Sequence, residues 1–125
     1  MIFSQHQNTT YLFLFGGYTF VDNFGNKKIK TLNDNWIFIL ESNRWMEVYP
    51  NTNSPSPRYS SKMLELDKIV ILLFGGFNLD RTLNDLWLFN RETNMWSEIK
   101  NYNTNTTSTW PKPIRDFSMI KSSIV

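Results

Sequence analysis

Two acids, Asp34 and Asp85, and two arginines, Arg58 and Arg115, are the charged side chains whose placement first suggests chemistry. Paired carboxylates can share general acid–base work, and a guanidinium can hold an anion. Each of these residues, however, occurs once per internal repeat, so a repeat-built fold places the two acids in different units. A structural hydrogen bond or ion pair inside each unit explains that pattern better than a shared active site. Ser60, Ser61 and Ser118 have no histidine nearby in sequence, and the single histidine, His6, is far from all three. Cysteine is absent, which removes disulfides, thiolate nucleophiles and thiolate zinc sites, and one histidine cannot build a histidine cage. The pairs Gly16-Gly17 and Gly75-Gly76 lack the spacing and the following helix of a phosphate cradle. They read as strand ends, one glycine taking positive φ and the other admitting a neighbouring backbone. No catalytic residue, metal site or cofactor is expected, and the chain does not read as an enzyme.

The elements that must position these residues are strands. The 125 residues include ten Phe, five Tyr and five Trp but no alanine, the best helix former. Fifteen asparagines, many in Asn-Thr and Asn-Asp steps, supply turns. The net charge is +2, from 13 basic and 11 acidic residues, and the basic ones are scattered rather than striped. Nucleic-acid binding is therefore not expected. The apolar runs Tyr11 to Phe15 and Ile69 to Phe74 are too short to span a bilayer or to form a signal-peptide core. The expected compartment is cytoplasmic, with no membrane partner.

A repeat organises the chain. Thr31-Leu32-Asn33-Asp34-Asn35-Trp36-Ile37-Phe38 returns as Thr82-Leu83-Asn84-Asp85-Leu86-Trp87-Leu88-Phe89, an offset of 51, and Trp45 returns as Trp96 at the same offset. Leu14-Phe15-Gly16-Gly17 matches Leu73-Phe74-Gly75-Gly76 at an offset of 59. The difference lies between the glycines and the TLND step, 13 residues (18–30) against five (77–81). Pro57-Arg58-Tyr59-Ser60 has a looser echo in Pro113-Ile114-Arg115-Asp116-Phe117-Ser118. The second copy predicts four strands, at about 58–66, 69–74, 86–90 and 96–99, separated by turn residues.

A double glycine after an apolar strand, then NDLWxF, then Trp nine residues on, then PxPR, resembles the kelch repeat. That resemblance implies an all-β fold of β-propeller blades, each repeat forming one four-stranded antiparallel blade. It implies about two blades plus the first strand of a third, an incomplete propeller. The first blade covers 1–50 with an incomplete N-terminal strand, the second covers 57–100, and the opening strand of a third covers 113–125. Propellers have 4–8 blades, so the chain is expected to be a fragment of a longer kelch protein, or to close a ring from several copies. Gly16, Gly17, Asp34, Trp36, Trp45, Arg58, Gly75, Gly76, Asp85, Trp87, Trp96 and Arg115 are its structural positions, the tryptophans filling the space between blades. Asn35 stands where the motif has Leu, and the first repeat lacks its opening Arg. A copper radical oxidase, which sets a propeller around a metal, is excluded by the missing cysteine and histidines.

The long connections, 18–30, 50–57 and 100–114, all fall on one side of such a fold, and loops on a rigid scaffold carry function. Tyr18, Phe20 and Phe24 beside Lys27, Lys28 and Lys30, together with Tyr102 and Trp110, form the candidate binding set, suited to an acidic or aromatic peptide. The expected function is a non-catalytic protein–protein interaction module. The alternative is a substrate-binding or regulatory kelch portion of a larger enzyme, such as a protein phosphatase. The expected partners are a protein or peptide and further kelch repeats, in the same chain or in other copies.

Overall fold

Eight strands, and no helix, build two separate sheets in the computed structural model, which describes residues 1–6, 8–100 and 110–123. The first sheet is a meander of β1 (Ile2–His6), β2 (Thr9–Asn23), β3 (Asn26–Ile39) and β4 (Arg44–Glu47). The second repeats it with β5 (Lys62–Glu65), β6 (Val70–Phe77), β7 (Thr82–Asn90) and β8 (Met95–Ile99). Every pairing is antiparallel. The turns follow from their residues. Asn43 and Asn94, at matching places in the two repeats, take φ of 55° and 54°, which asparagine tolerates better than most side chains. Asp67 Oδ1 accepts the backbone N–H groups of Ile69 and Val70 at 2.7 and 2.8 Å and tightens the β5–β6 turn.

The strands depart from expectation in four places. The strands that reach the glycine pairs do not end there. β2 continues to Asn23 and β6 to Phe77, each through a register shift at the glycines. Residues 18–30 are therefore a β-hairpin arm, not a loop, and its two-residue turn Phe24-Gly25 has φ of 52° and 86°. Those angles are the type I′ pair that matches strand twist. The strand expected over 58–66 is laddered only at Lys62–Glu65, with Tyr59 forming an isolated bridge to Phe77. The strand expected over 113–125 is not laddered in its described residues, 113–123, where Ile114 instead bonds to Leu83 and Gly76. The N-terminal strand of the first sheet, expected to be incomplete, is β1, whose five residues all pair with β2.

The core is the seam between the sheets. Phe13 and Phe15 of β2 face Ile71, Leu73, Phe89 and Trp96 of the second sheet, all buried. Phe13 and Phe89 rings are 5.0 Å apart, Phe15 and Trp96 5.2 Å, Phe89 and Trp96 4.9 Å. Asn35, the departure from the Leu of NDLW, is explained here. It is 1% exposed, and its Oδ1 accepts the Trp96 indole N–H at 3.1 Å, a donor otherwise stranded between the sheets. The repeat also supplies a matched comparison. Leu12, Leu14, Trp36, Phe38 and Trp45 occupy the places of Ile71, Leu73, Trp87, Phe89 and Trp96. Trp96, with a sheet in front of it, is 3% exposed, whereas Trp45 is 48% exposed and touches only its own sheet's Phe38 among described aromatic neighbours. The expectation that all four repeat tryptophans lie between sheets therefore fails for Trp36 and Trp45, which share the first sheet's face away from the seam. The sheets do not close into a ring. Trp96→Ala is expected to cost about 3–5 kcal/mol of stability in urea unfolding, and Trp45→Ala about 1 kcal/mol or less.

Candidate binding face

The glycine pairs create the site by letting a connecting segment cross the sheets. Gly16 (φ 63°) leaves so little room that a Cβ there would lie 2.7 Å from the Arg58 carbonyl oxygen. At Gly75 (φ 65°) a Cβ would lie 2.6 Å from that of Ile114. Only glycine fits either place. The crossing is the same in both repeats. The Arg58 N–H donates to Leu32 and the Gly17 N–H to Arg58, and Ile114 repeats both bonds with Leu83 and Gly76. Asn33 and Asn84 donate equivalently to the carbonyls of Pro55 and Pro111.

These bonds correct the alignment of the arginines. Ile114, not Arg115, holds the slot of Arg58, so PKPI is the counterpart of PSPR. Arg58 is 1% exposed, and all five of its guanidinium donors are engaged. Nη1 and Nη2 grip the Asp85 carboxylate at 2.6 and 2.7 Å, Nη1 also reaches Gly75 O, and Nε and Nη2 reach the backbone and side-chain oxygens of Ser56. The Trp87 indole N–H adds a third bond to Asp85 at 2.7 Å. Burial alone raises the Asp85 carboxyl, but the hydrogen bonds from Arg58 and Trp87 and the guanidinium charge outweigh it and hold the pKa below its ordinary value. Asp34 accepts the matching Trp36 indole bond at 2.6 Å and has no ion pair among the described residues. Of the hydrogen bond or ion pair expected in each unit, the acid–indole hydrogen bond recurs in both, and the ion pair to Arg58 occurs in the second.

Beside each crossing lies one ring. Tyr18 and Phe77 follow the two glycine pairs, and the residues after the crossing points, Tyr59 and Arg115, lie over them. The result is a continuous row. Phe20 meets Tyr18 at 5.8 Å, Tyr18 meets Tyr59 at 5.2 Å, Tyr59 meets Phe77 at 5.6 Å, and the Arg115 guanidinium sits 4.4 Å over the Phe77 ring. The row joins the arm of the first sheet to the second. Tyr18 is 51% and Phe20 60% exposed, and Phe24 stands fully in solvent at the arm's tip.

The pleat sorts the other candidate residues. Tyr18, Phe20 and Ile29 share one face of the arm with Lys27, while Lys28 and Lys30 share the opposite face with Val21 and Thr19. Aromatic and basic groups are thus divided rather than mixed. Trp110 belongs to the scaffold: its indole N–H donates to Asn84 O at 2.7 Å, and its ring lines an apolar groove with Leu72, Phe74 and Leu86. Tyr102 lies outside the described residues. Tyr59, Phe77 and Arg115 are members of the row that sequence reasoning left out of its candidate set. The signal was an aromatic residue directly after both glycine pairs. Among the described residues no cluster of histidine and acidic side chains could hold a metal ion.

A family model, the KLHDC2/KLHL20/DRC7 Kelch-repeats domain, matches residues 3–123. The chain belongs to the kelch-repeat family. Each of its sheets is a kelch blade, and the two unclosed blades fit an incomplete propeller. Among curated proteins, this kelch chain is 33% identical over 89 residues to the Rho GTPase-activating protein gacHH of Dictyostelium discoideum, covering 70% of the chain and 5% of that protein. It is 33% identical over 89 residues to the flagellar outer-arm dynein alpha chain of Chlamydomonas reinhardtii, covering 67% of the chain and 2% of the dynein. It is 29% identical over 89 residues to a Leucine-zipper-like transcriptional regulator 1 homolog of Drosophila melanogaster, covering 70% of the chain and 9% of that protein. The chain therefore spans less than a tenth of the length of each of these relatives.

The Arg58–Asp85 pair makes blade stability pH-dependent. Because the folded pKa of Asp85 lies below its unfolded value, the contribution is complete above the unfolded value and is lost as pH falls through the folded one. Asp85→Asn is expected to cost about 3 kcal/mol at neutral pH, leaving a buried guanidinium underpaired. It should also flatten the decline of the urea midpoint as pH is lowered from about 6 to 3.

Proposed function

We propose that this kelch segment is a protein-interaction module that holds a partner polypeptide against the row Phe20–Tyr18–Tyr59–Phe77, with no chemistry performed on the partner. The row itself carries this reading. Aromatic rings that are half exposed, held by neighbouring rings and anchored to a bonded crossing lose little entropy on binding. Arg115 at one end and Lys27 on the arm's aromatic face supply cationic edges, which favour acidic residues flanking the partner's apolar anchors. The four groups first taken for chemistry support the same reading. Arg58 and Asp85 are spent on each other and Asp34 on Trp36, while Arg115, stacked on Phe77 and 3.8 Å from Asp116, keeps a half-exposed guanidinium at the end of the row.

Selection from a random displayed-peptide library tests this reading. The expected outcome is enrichment of peptides with an aromatic or aliphatic anchor beside Asp or Glu. Their capture should fall at least tenfold on a Tyr18→Ala/Phe20→Ala variant whose urea midpoint is unchanged. Peptides that bind the variant as well as the parent, or a selection that enriches none, would overturn it.

A further inference from the structure

We infer that the outer edge of β3 in the arm accepts an extended segment of the partner as an added antiparallel strand, and that this segment alternates apolar and acidic residues. The inference rests on the proposed function and specifies its geometry and partner chemistry.

Among the described residues the arm is a two-stranded ribbon with no third strand beside it. β1 pairs with β2 only over Thr9–Phe13, and β4 pairs with β3 only over Trp36–Ile39. Between them, residues 18–31 pair only with each other among the described residues. The register identifies which backbone groups are free. In a two-residue hairpin the closing pair, here Asn23 and Asn26, is hydrogen-bonded, and the pairs then alternate. Lys27, Ile29 and Thr31 consequently turn their backbone N–H and C=O outward, a ready template for another strand.

Side-chain alternation then dictates the pattern of the guest. An added strand places successive side chains on opposite faces of the ribbon. On one face they meet Ile29, flanked by Phe20 and Tyr18, which select apolar groups, with Lys27 and Thr31 at the two ends. On the other they meet Lys28 and Lys30, which select carboxylates. The same lysines repel the edge of a second copy, so the template stays closed to self-pairing and open to an acidic strand. The second blade has no such edge, since β6 and β7 turn at Asn78–Arg81. The β2 edge of the arm, where Tyr18, Phe20 and Asp22 also turn their backbone groups outward, carries an acidic side chain and no lysine, so the acidic segment is directed to the β3 edge.

The probe is a fluorescein-labelled seven-residue peptide alternating Val and Glu, titrated into the whole chain and followed by anisotropy. Its controls are a peptide of the same composition arranged in blocks, and two N-methylated versions, one methylated on the valine amides and one on the glutamate amides. In an antiparallel addition the valines lie opposite Ile29 and turn their N–H groups to the arm. Methylation of the valine amides should therefore weaken binding at least tenfold, while methylation of the glutamate amides leaves it within about twofold. The block peptide should bind at least tenfold more weakly. A Lys28→Glu/Lys30→Glu variant with an unchanged urea midpoint should lose the alternating peptide. Equal binding of the alternating and block peptides, or any other response to the two methylation patterns, overturns the inference. If displayed peptides still depend on Tyr18 and Phe20 in that case, the row remains the binding face and only strand addition falls.

Discussion

The guanidinium of Arg58 fastens the molecule together. Its backbone is bonded into the first blade through Leu32 and Gly17, and its side chain is bonded into the second through Asp85 and Gly75. A guanidinium this deeply buried is tolerable only because every donor has an acceptor and the opposing charge is gripped at two points. Lysine, with a single ammonium at the end of a flexible stem, could not span that set of acceptors. The glycines and the arginine are two halves of one device. Gly16 and Gly75 remove the Cβ atoms that would block a crossing segment, and Arg58 supplies the bonds that hold the first crossing in place. The second crossing carries Ile114 in the same slot, so its side chain cannot supply such bonds.

Function follows from where the crossing sets its next residue. Tyr59 is attached directly to Arg58, and its ring bridges Tyr18 of one blade and Phe77 of the other. The aromatic row is therefore as rigid as the crossing that carries it, and the arm extends it outward without needing a core of its own. Binding groups on a fixed scaffold, with one projecting ribbon, are the arrangement that the proposed interaction module requires.

Much of this was legible in the residues. The doubled GG, NDLW and Trp spacing identified the blades, their antiparallel meander and the kelch family, because the motif residues are those that fill fixed geometric slots. The turn chemistry was equally readable at Asn43 and Asn94. The arm was not. Residues 18–30 carry glycine, asparagine and charge, which read as a loop, and their pairing follows from register with each other rather than from a buried face. Arg115 was misplaced because isoleucine stands in the arginine slot of the second PxPR and an arginine follows it, and only the backbone bonds of Ile114 reveal the alignment. The exposure of Trp45 was hidden for another reason. Sequence position marks the face a tryptophan occupies, but burial depends on whether a sheet lies opposite.

The central claim is that Arg58 makes the two blades one cooperative unit. Replacing the tryptophans with 5-fluorotryptophan gives a fluorine resonance for Trp45 in the first blade and Trp96 in the second. In the parent chain the two resonances should report a single, coincident urea transition. In Arg58→Met the transitions should separate, or their shared midpoint should fall steeply as the uncompensated Asp85 loosens the crossing. Coincident transitions at an unchanged midpoint in Arg58→Met would contradict the account.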